Sequence, residues 1–283
     1  MDRNSTVISC ALTGTDMSSD RAIRSHESAY TVQCRVLHAL ILRELKARYG
    51  NRRLGYMWAL LEPLMLMSIL FAGFQLLGRD SQAGIQVPLF LVTGFGPFFM
   101  FRDVFAEVMN GTRGHQSLLM FPQVTRLDLV VSKMVLSALI WIVVFITLLI
   151  GLYFLGFTFN FEDPLGVMVG FALIILLGLG LGLLLGAISI RYEVVQSISQ
   201  PLLGRPLFFT SGLFFTASML PAAARDIMLY NPLLHCIEMI RASMFESFES
   251  RYIDLGYVIV FALILVSGGL MSLMVFEKQR GSL

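Results

Sequence analysis

From Leu165 to Ile190 the chain carries no charged residue: LGVMVGFALIILLGLGLGLLLGAISI. About 20 apolar residues suffice for a helix to cross the ~30 Å hydrocarbon core of a bilayer. A second uncharged run extends from Gly256 to Phe276. Two such runs exclude an ordinary soluble domain and predict a membrane protein. Further apolar runs lie at about Met57–Leu77, Pro88–Val108, Leu129–Phe157 and Pro201–Leu220. The second and fifth runs contain Gly, Pro and charge, which membrane helices tolerate where neighbours satisfy the freed backbone groups. The expectation is an all-α membrane protein with six transmembrane helices. Composition agrees: 14% of residues are charged, against about 25% in soluble domains.

Basic residues in the flanks set the orientation. Arg35, Arg43, Lys46, Arg48, Arg52 and Arg53 precede the first run. Arg113, Arg126 and Lys133 follow the second, Arg191 follows the fourth, and Lys278 and Arg280 follow the sixth. The connections on the other side hold Arg79, an acidic NFEDP stretch and a loop of mixed charge. Both termini are therefore expected in the cytoplasm.

Three regions follow. Residues 1–31 are polar, lack the apolar core of a signal peptide, and are expected to form a disordered cytosolic tail. Residues 32–54 form an interfacial helix: Leu37, Leu40, Ile41, Leu45 and Tyr49 favour one face, and Arg35, Arg43 and Lys46 the other. Tyr56 and Trp58 then anchor the first span at headgroup level, within a six-helix domain over 55–283. Between the fifth and sixth spans, Asn231–Phe245 has near-helical apolar spacing. It reads as a short amphipathic or re-entrant helix on the outer leaflet.

Catalytic apparatus is not visible. The three lysines do not follow a glycine, so no phosphate-cradling P-loop exists. The sequence also lacks a G-x-S-x-G elbow, an H-E-x-x-H helix and a C-x-x-C pair. Cys10, Cys34 and Cys236 have no metal or redox spacing, and no disulfide is expected. Gly178, Gly182 and Gly186 share one helix face and point to close packing, within the subunit or across a dimer. The nucleotide-loop reading of that stretch fails because it sits inside an apolar helix.

Charges within the apolar runs are Glu62, Arg102, Asp103, Glu107 and Arg205, all toward the cytoplasmic end. They are costly there unless paired or facing water. One reading is a polar entrance, where Arg102 and Arg205 meet an anionic substrate and Glu62 or Asp103 pairs with them. The other is snorkelling to inner headgroups. Aromatic residues crowd GFGPFFMF (Gly94–Phe101) and LFFTSGLFF (Leu207–Phe215). Such rings either face lipid or stack on sugars along a translocation path, with Tyr56, Trp58, Phe98, Phe99, Phe101, Phe208 and Phe209 as candidates. The basic loop Gly111–Asp128 holds an apolar knot, Leu118–Phe121, broken by Pro122. It is either a partner-docking element or a membrane-skimming turn.

The stretches RELKARYGNRRLGYMWALLEP, FFMFRDV, LLMFPQVTRLDLVVSK and YNPLLHCIEMIR resemble the transmembrane subunits of type-2 ABC exporters, in the branch that exports capsular polysaccharide. The resemblance covers nearly everything after about Val32. It implies a non-catalytic permease that forms a homodimer and binds two copies of a separate ATPase, which holds ATP and Mg. It also implies a coupling helix near Arg113–Val124, with Leu118, Leu119, Phe121, Pro122 and Gln123 in the ATPase cleft and Arg113 and Arg126 beside it. The implied substrate is a lipid-linked acidic polysaccharide, moved across the bacterial inner membrane to the periplasm and passed to periplasmic and outer-membrane proteins. Arg43, Lys46, Arg48, Arg52, Arg53, Arg102 and Arg205 then suit its anionic lipid end, since cationic side chains bind phosphate. Glu62 would pair with an entrance arginine. No cofactor, metal or nucleic acid is expected on this chain. Alternatives are export of O-antigen, teichoic acid or a small drug, a membrane enzyme acting on lipid-linked sugars, and an ion-coupled carrier. The carrier reading predicts a midplane ionisable site, which the sequence lacks.

Overall fold

A computed structural model of the protein describes residues 29–49, 55–76, 78, 81–113, 125–159, 161–248 and 250–281. Most of the polar tail, the turn at 50–54 and the apolar knot at 118–121 lie outside the described residues. The described chain is almost entirely helical.

In chain order the elements are α1 (Ala29–Tyr49), α2 (Gly55–Leu76), a short hairpin of β1 (Ser81–Gln82) and β2 (Ile85–Gln86), then α3 (Val87–Arg113) and α4 (Arg126–Phe154). There follow α5 (Pro164–Arg191), α6 (Val194–Thr210), a 3₁₀ turn at Ala217–Met219, α7 (Ala222–Met228), α8 (Pro232–Met244) and α9 (Leu255–Gly281). Among the described residues, four helices are long and apolar enough to cross a membrane: α3, α4, α5 and Leu255–Phe276 of α9.

Local sequence explains the boundaries. The antiparallel strands pair Ser81 with Gln86 and Gln82 with Ile85. The two residues between them, Ala83 and Gly84, both have positive φ (51° and 80°), which matches the right-handed strand twist of a tight hairpin. Thr125 and Asp128 form a reciprocal capping box at the start of α4, satisfying two orphan amides. Pro164 and Pro232 open α5 and α8, where a missing N–H costs nothing. Helix α6 retains Pro201 and Pro206. It stops at Thr210, short of the expected Leu220, because Gly212 turns the chain at φ 75°.

Helix α3 is the centre. Every residue from Leu89 to Phe101 is buried, as expected of a helix apolar all round. It packs between α4 and α5, and α5 in turn packs against α9. The glycine-rich stretch makes both contacts possible. A Cβ on Gly178 would lie 2.9 Å from Val104, and one on Gly182 2.7 Å from Val108, so this face meets α3. On another face, a Cβ on Gly180 would lie 2.7 Å from Leu265, and one on Gly269 of α9 would lie 2.7 Å from Leu183. Both of these close approaches are within the subunit. Leu139, Val143, Ile146 and Ile150 of α4, with Val260, Leu263, Ile264 and Met271 of α9, remain exposed. These apolar stripes suit contact with hydrocarbon.

Side-chain and backbone bonds gather the connections at two ends. At one end Arg126 reaches the Thr112 carbonyl at 3.3 Å, joining α4 to α3. At the other, Gln82 donates to the Phe214 carbonyl at 2.8 Å, and Asp163 N–H donates to the Ser243 carbonyl at 3.0 Å.

Helix α8 forms where the sequence predicts a short helix, and departs from the amphipathic surface alternative. It does not lie on a surface with one wet face. Leu233, Leu234, His235, Cys236, Ile237, Glu238, Ile240 and Arg241 are all buried, because α5 offers Gly170, whose missing Cβ admits Ile240.

Candidate functional site

At the α1 end, six charges and a tryptophan join three helices. Lys133 of α4 donates to Glu44 of α1 at 3.1 Å and to Glu107 of α3 at 2.9 Å. Arg48 of α1 lies 3.5 Å from Glu107 and 4.0 Å from Asp103, and reaches the Ser137 hydroxyl of α4 at 3.3 Å. Asp103 accepts from Trp141 Nε1 at 2.8 Å and from Arg102 Nε at 3.0 Å. Gln33 of α1 also donates to Asp128. The six charges balance in sign. Each cation has a carboxylate, which is what lets ionisable groups persist beside a membrane core.

Spacing explains the arrangement. Asp103 and Glu107 stand four residues apart on α3, as do Lys133, Ser137 and Trp141 on α4, and Glu44 and Arg48 on α1. Each set therefore lies on one helix face. The three faces converge because Leu40 of α1 is buried while Arg43 and Lys46 point away, exposed.

A second cluster closes the α3–α6 corner. Arg113 pairs with Glu193 at 2.8 Å and also donates to Gln196. Gln196 in turn donates to Asn110 at 2.8 Å. Arg113, the last residue of α3, is thus tied to the start of α6, and Arg126, the first of α4, to the Thr112 carbonyl. Leu118, Leu119, Phe121, Pro122 and Gln123 lie outside the described residues.

At the opposite end, α8 holds the chain that follows α6. Arg241, fully buried, donates through Nη1 to the Gly212 carbonyl at 2.7 Å and through Nη2 to the Phe90 carbonyl at 3.2 Å. Its guanidinium lies 3.7 Å from the centre of the Phe90 ring. Gly94 makes room for it, since a Cβ there would lie 2.6 Å from Arg241 Nη2. Glu238 accepts from the Ala217 amide and from Ser250. Asn231 caps α8 at the Leu233 amide, 3.0 Å away, and donates to Thr210 at 2.9 Å. His235 Nε2 donates to the Leu229 carbonyl at 2.8 Å, and its Nδ1 accepts from Asp254 N–H at 3.2 Å. These partners assign a neutral ring protonated at Nε2. Burial pushes the nearby Cys236 thiol up to about 12, so it stays protonated and inert.

The residues proposed for a substrate entrance divide. Arg48 and Arg102 are engaged with Asp103 and Glu107, and Arg102 also stacks on Phe99 at 4.6 Å. Arg43, Lys46 and Arg205 are exposed. Arg52 and Arg53 lie outside the described residues, as do the side chains of Tyr56, Trp58 and Glu62 on α2. The aromatic candidates divide too. Phe98, Phe99 and Phe101 are not on an open path in this subunit: they are only 2%, 7% and 5% exposed. Phe98 packs edge-on against Phe208 at 5.4 Å, and Phe99 tilts against Trp141 at 5.4 Å. Edge-to-face geometry and burial favour that packing over exposure. Phe208 is half-buried, and Phe209 is 63% exposed.

Sequence reading missed Lys133, Glu44 and Trp141 as partners, and Glu238 and Arg241 as buried groups. A signal existed for the last two. They stand three apart in a stretch otherwise apolar, PLLHCIEMIRASM, where charge has a cost unless it is satisfied.

Residues 35–245 match the family model described as ABC-2 type transporter. Polysialic acid transport protein KpsM of Escherichia coli is 30% identical over 243 residues, covering 86% of this chain and 94% of KpsM. Capsule polysaccharide export inner-membrane protein CtrC of Neisseria meningitidis serogroup B is 27% identical, with 87% and 93% covered. Capsule polysaccharide export inner-membrane protein BexB of Haemophilus influenzae is 27% identical, with 89% and 95% covered. With its membrane-length helices and this match over most of its length, the chain belongs to the ABC-2 type transporter family.

Proposed function

We propose that this chain is the permease subunit of an ATP-driven exporter that moves a lipid-linked acidic capsular polysaccharide from cytoplasm to periplasm. The observation that carries this reading is the agreement of three relatives from three organisms. Each aligns over at least 86% of this chain, and each is named for transport or export of a polysaccharide.

In this reading the bacterial inner membrane holds six spans. Helix α2, with 22 residues, is about 33 Å long and α6, with 17, about 25 Å; they join the four longer helices. The α1 end, with its exposed Arg43 and Lys46, faces the cytoplasm with both termini. Helices α7 and α8 enter the membrane from the periplasmic side and return. Two copies of the chain form the channel, and two copies of a separate ATPase supply the energy, with ATP and Mg bound on that partner. The loop at 114–124 is the coupling element. Arg113 and Arg126 tie its ends to α6 and α3, so a push on the loop reaches both helices. Arg43 and Lys46 are the exposed cations of the α1 end open to an anionic lipid end, and Arg52, Arg53 and Glu62 are assigned to the same entrance from the sequence. Arg205, exposed in the last third of α6, stands away from that end. Arg48 and Arg102 hold α1 and α3 in place. The glycan passes against Phe209 and Phe208, while Phe98, Phe99 and Phe101 fix where those rings stand. Periplasmic and outer-membrane export proteins receive the polymer.

A pull-down tests this. The tagged chain, gently solubilised from its native host, should bring down a P-loop ATPase at near one-to-one stoichiometry. Phe121→Asp should lose it. Recovery of wild-type chain without any ATPase would return the chain to the membrane-enzyme or carrier readings.

A further inference from the structure

Beside α8, at the end opposite α1, lies an open cavity of about 610 Å³, within the range of small-ligand sites. Its walls are Leu229, His235, Arg251, Tyr252, Asp254 and Tyr257, with Ile253 and Leu255 between them. Two other cavities, of about 410 and 420 Å³, are lined almost wholly by apolar side chains, and one of about 430 Å³ is lined by Glu162, Glu246, Ser250 and Arg251 beside apolar groups.

The wall is built rather than incidental. His235 is buried and bonded through both ring nitrogens. Tyr257 donates its hydroxyl to the Tyr230 carbonyl at 2.7 Å and stands 5.6 Å from the His235 ring, edge to face. Asp254 uses one oxygen to cap α9 at the Tyr257 amide, 2.9 Å away, leaving the other as an acceptor. Arg225, outside the wall, places its guanidinium 4.5 Å from the centre of the Tyr252 ring, holding that ring from one face and leaving the other for a ligand. Arg251 is exposed at the rim and makes no ion pair among the described residues.

Two tyrosine rings, the exposed Arg251 guanidinium and one acceptor oxygen form a set suited to one kind of ligand. Ring faces take the C–H face of a pyranose. Arginine binds a carboxylate through paired N–H donors. A free carboxylate oxygen takes a sugar hydroxyl. The openness of the cavity admits a unit within a chain, not only a free monosaccharide. We propose that this cavity is an exit-side subsite that binds a carboxylate-bearing sugar unit of the exported polymer. The proposal rests on the export reading above and adds to it a site and a charge requirement.

The full-length chain in lipid nanodiscs would be titrated by saturation-transfer NMR. One probe is a tetrasaccharide of alternating glucuronic acid and N-acetylglucosamine, and the other is uncharged maltotetraose. The acidic probe should bind about ten-fold more tightly, and Arg251→Gln and Tyr252→Ala should each weaken it about ten-fold. Ile259→Ala, on the exposed face of α9, should leave it unchanged. Equal binding of the two probes, no binding by wild type, or binding indifferent to both substitutions would overturn the proposal. Should Tyr252→Ala aggregate, Arg251→Gln alone decides. A photo-crosslinking side chain at Tyr252 in intact cells should label polymer, whereas a protein adduct would reassign the surface to a protein partner and overturn the subsite. Export is scored separately, by restoring surface polysaccharide to the native host lacking this chain. Export restored without probe binding sinks the subsite alone, while failure to restore it sinks the export reading.

Discussion

The Arg241 guanidinium lies 3.7 Å from the centre of the Phe90 ring, joining a helix near the chain's C-terminal end to the start of the central helix. The same group satisfies the carbonyl of Gly212 at 2.7 Å, just where α6 turns off. One side chain thus fixes three segments at the end proposed as the exit. A buried charge-assisted hydrogen bond contributes about 1.5–3 kcal/mol, and a desolvated cation–ring contact about 2. Arg241→Ala should therefore cost about 3 kcal/mol in unfolding. Arg241→Lys should recover little, because one ammonium cannot reach both carbonyls while lying flat on a ring. Thermal unfolding in detergent reads both.

Gly94→Ala should act on the same contact from the other side. Its Cβ would lie 2.6 Å from Arg241 Nη2, forcing the guanidinium off the ring. In a double-mutant cycle the cost of Gly94→Ala should shrink when Arg241 is already alanine. Additive costs would mean that Gly94 matters for some other reason.

The polar lattice at the α1 end predicts a coupled set. Lys133→Met removes the common partner of Glu44 and Glu107. These side chains are 13%, 27% and 21% exposed, so the loss should be about 2 kcal/mol, between the surface and fully buried cases. It should also loosen α1, seen as faster trypsin cleavage at Arg43 and Lys46. Adding Glu44→Gln should restore part of the protection, since the carboxylate that has lost its lysine is then neutral, whereas Glu107 keeps Arg48 at 3.5 Å. Unchanged cleavage in Lys133→Met would mean that apolar contacts alone hold α1.

Glycines within one chain should respond oppositely. Gly182→Ala sets a methyl 2.7 Å from Val108 and 2.9 Å from the Phe105 carbonyl. The two helices must part, at a cost of about 1–3 kcal/mol. Gly268→Ala meets nothing within 4 Å and should stabilise α9 by up to about 1 kcal/mol through helix propensity. Thermal midpoints of the two variants should bracket wild type.

Cysteine labelling tests burial and sidedness together. Cys34 is exposed, and Cys236 is buried with its thiol pushed up to about 12. A membrane-impermeant maleimide should modify Cys34 in a Cys10→Ser variant from the cytoplasmic side only, and leave Cys236 untouched. Labelling of Cys34 from the periplasm would reverse the proposed orientation.

The sequence by itself determined where helices could form and that several must meet lipid. Those properties depend on residue type and on local pattern: uncharged length from Leu165 to Ile190, Pro164 and Pro232 opening helices, glycines four apart on one face. It also placed Gly178, Gly182 and Gly186 at a close contact, though not which neighbour they meet, because small size marks an approach without naming the partner. Only the tertiary structure decided that Lys133 faces Glu44 and Glu107, residues 89 and 26 positions away. It likewise decided that Phe98 and Phe99 are core, and that Arg241 is buried beneath α3. Charge and aromaticity have a meaning set by surroundings. The same arginine is a ligand for phosphate on a surface and a clasp for carbonyl groups in an interior, and no local spacing distinguishes the two.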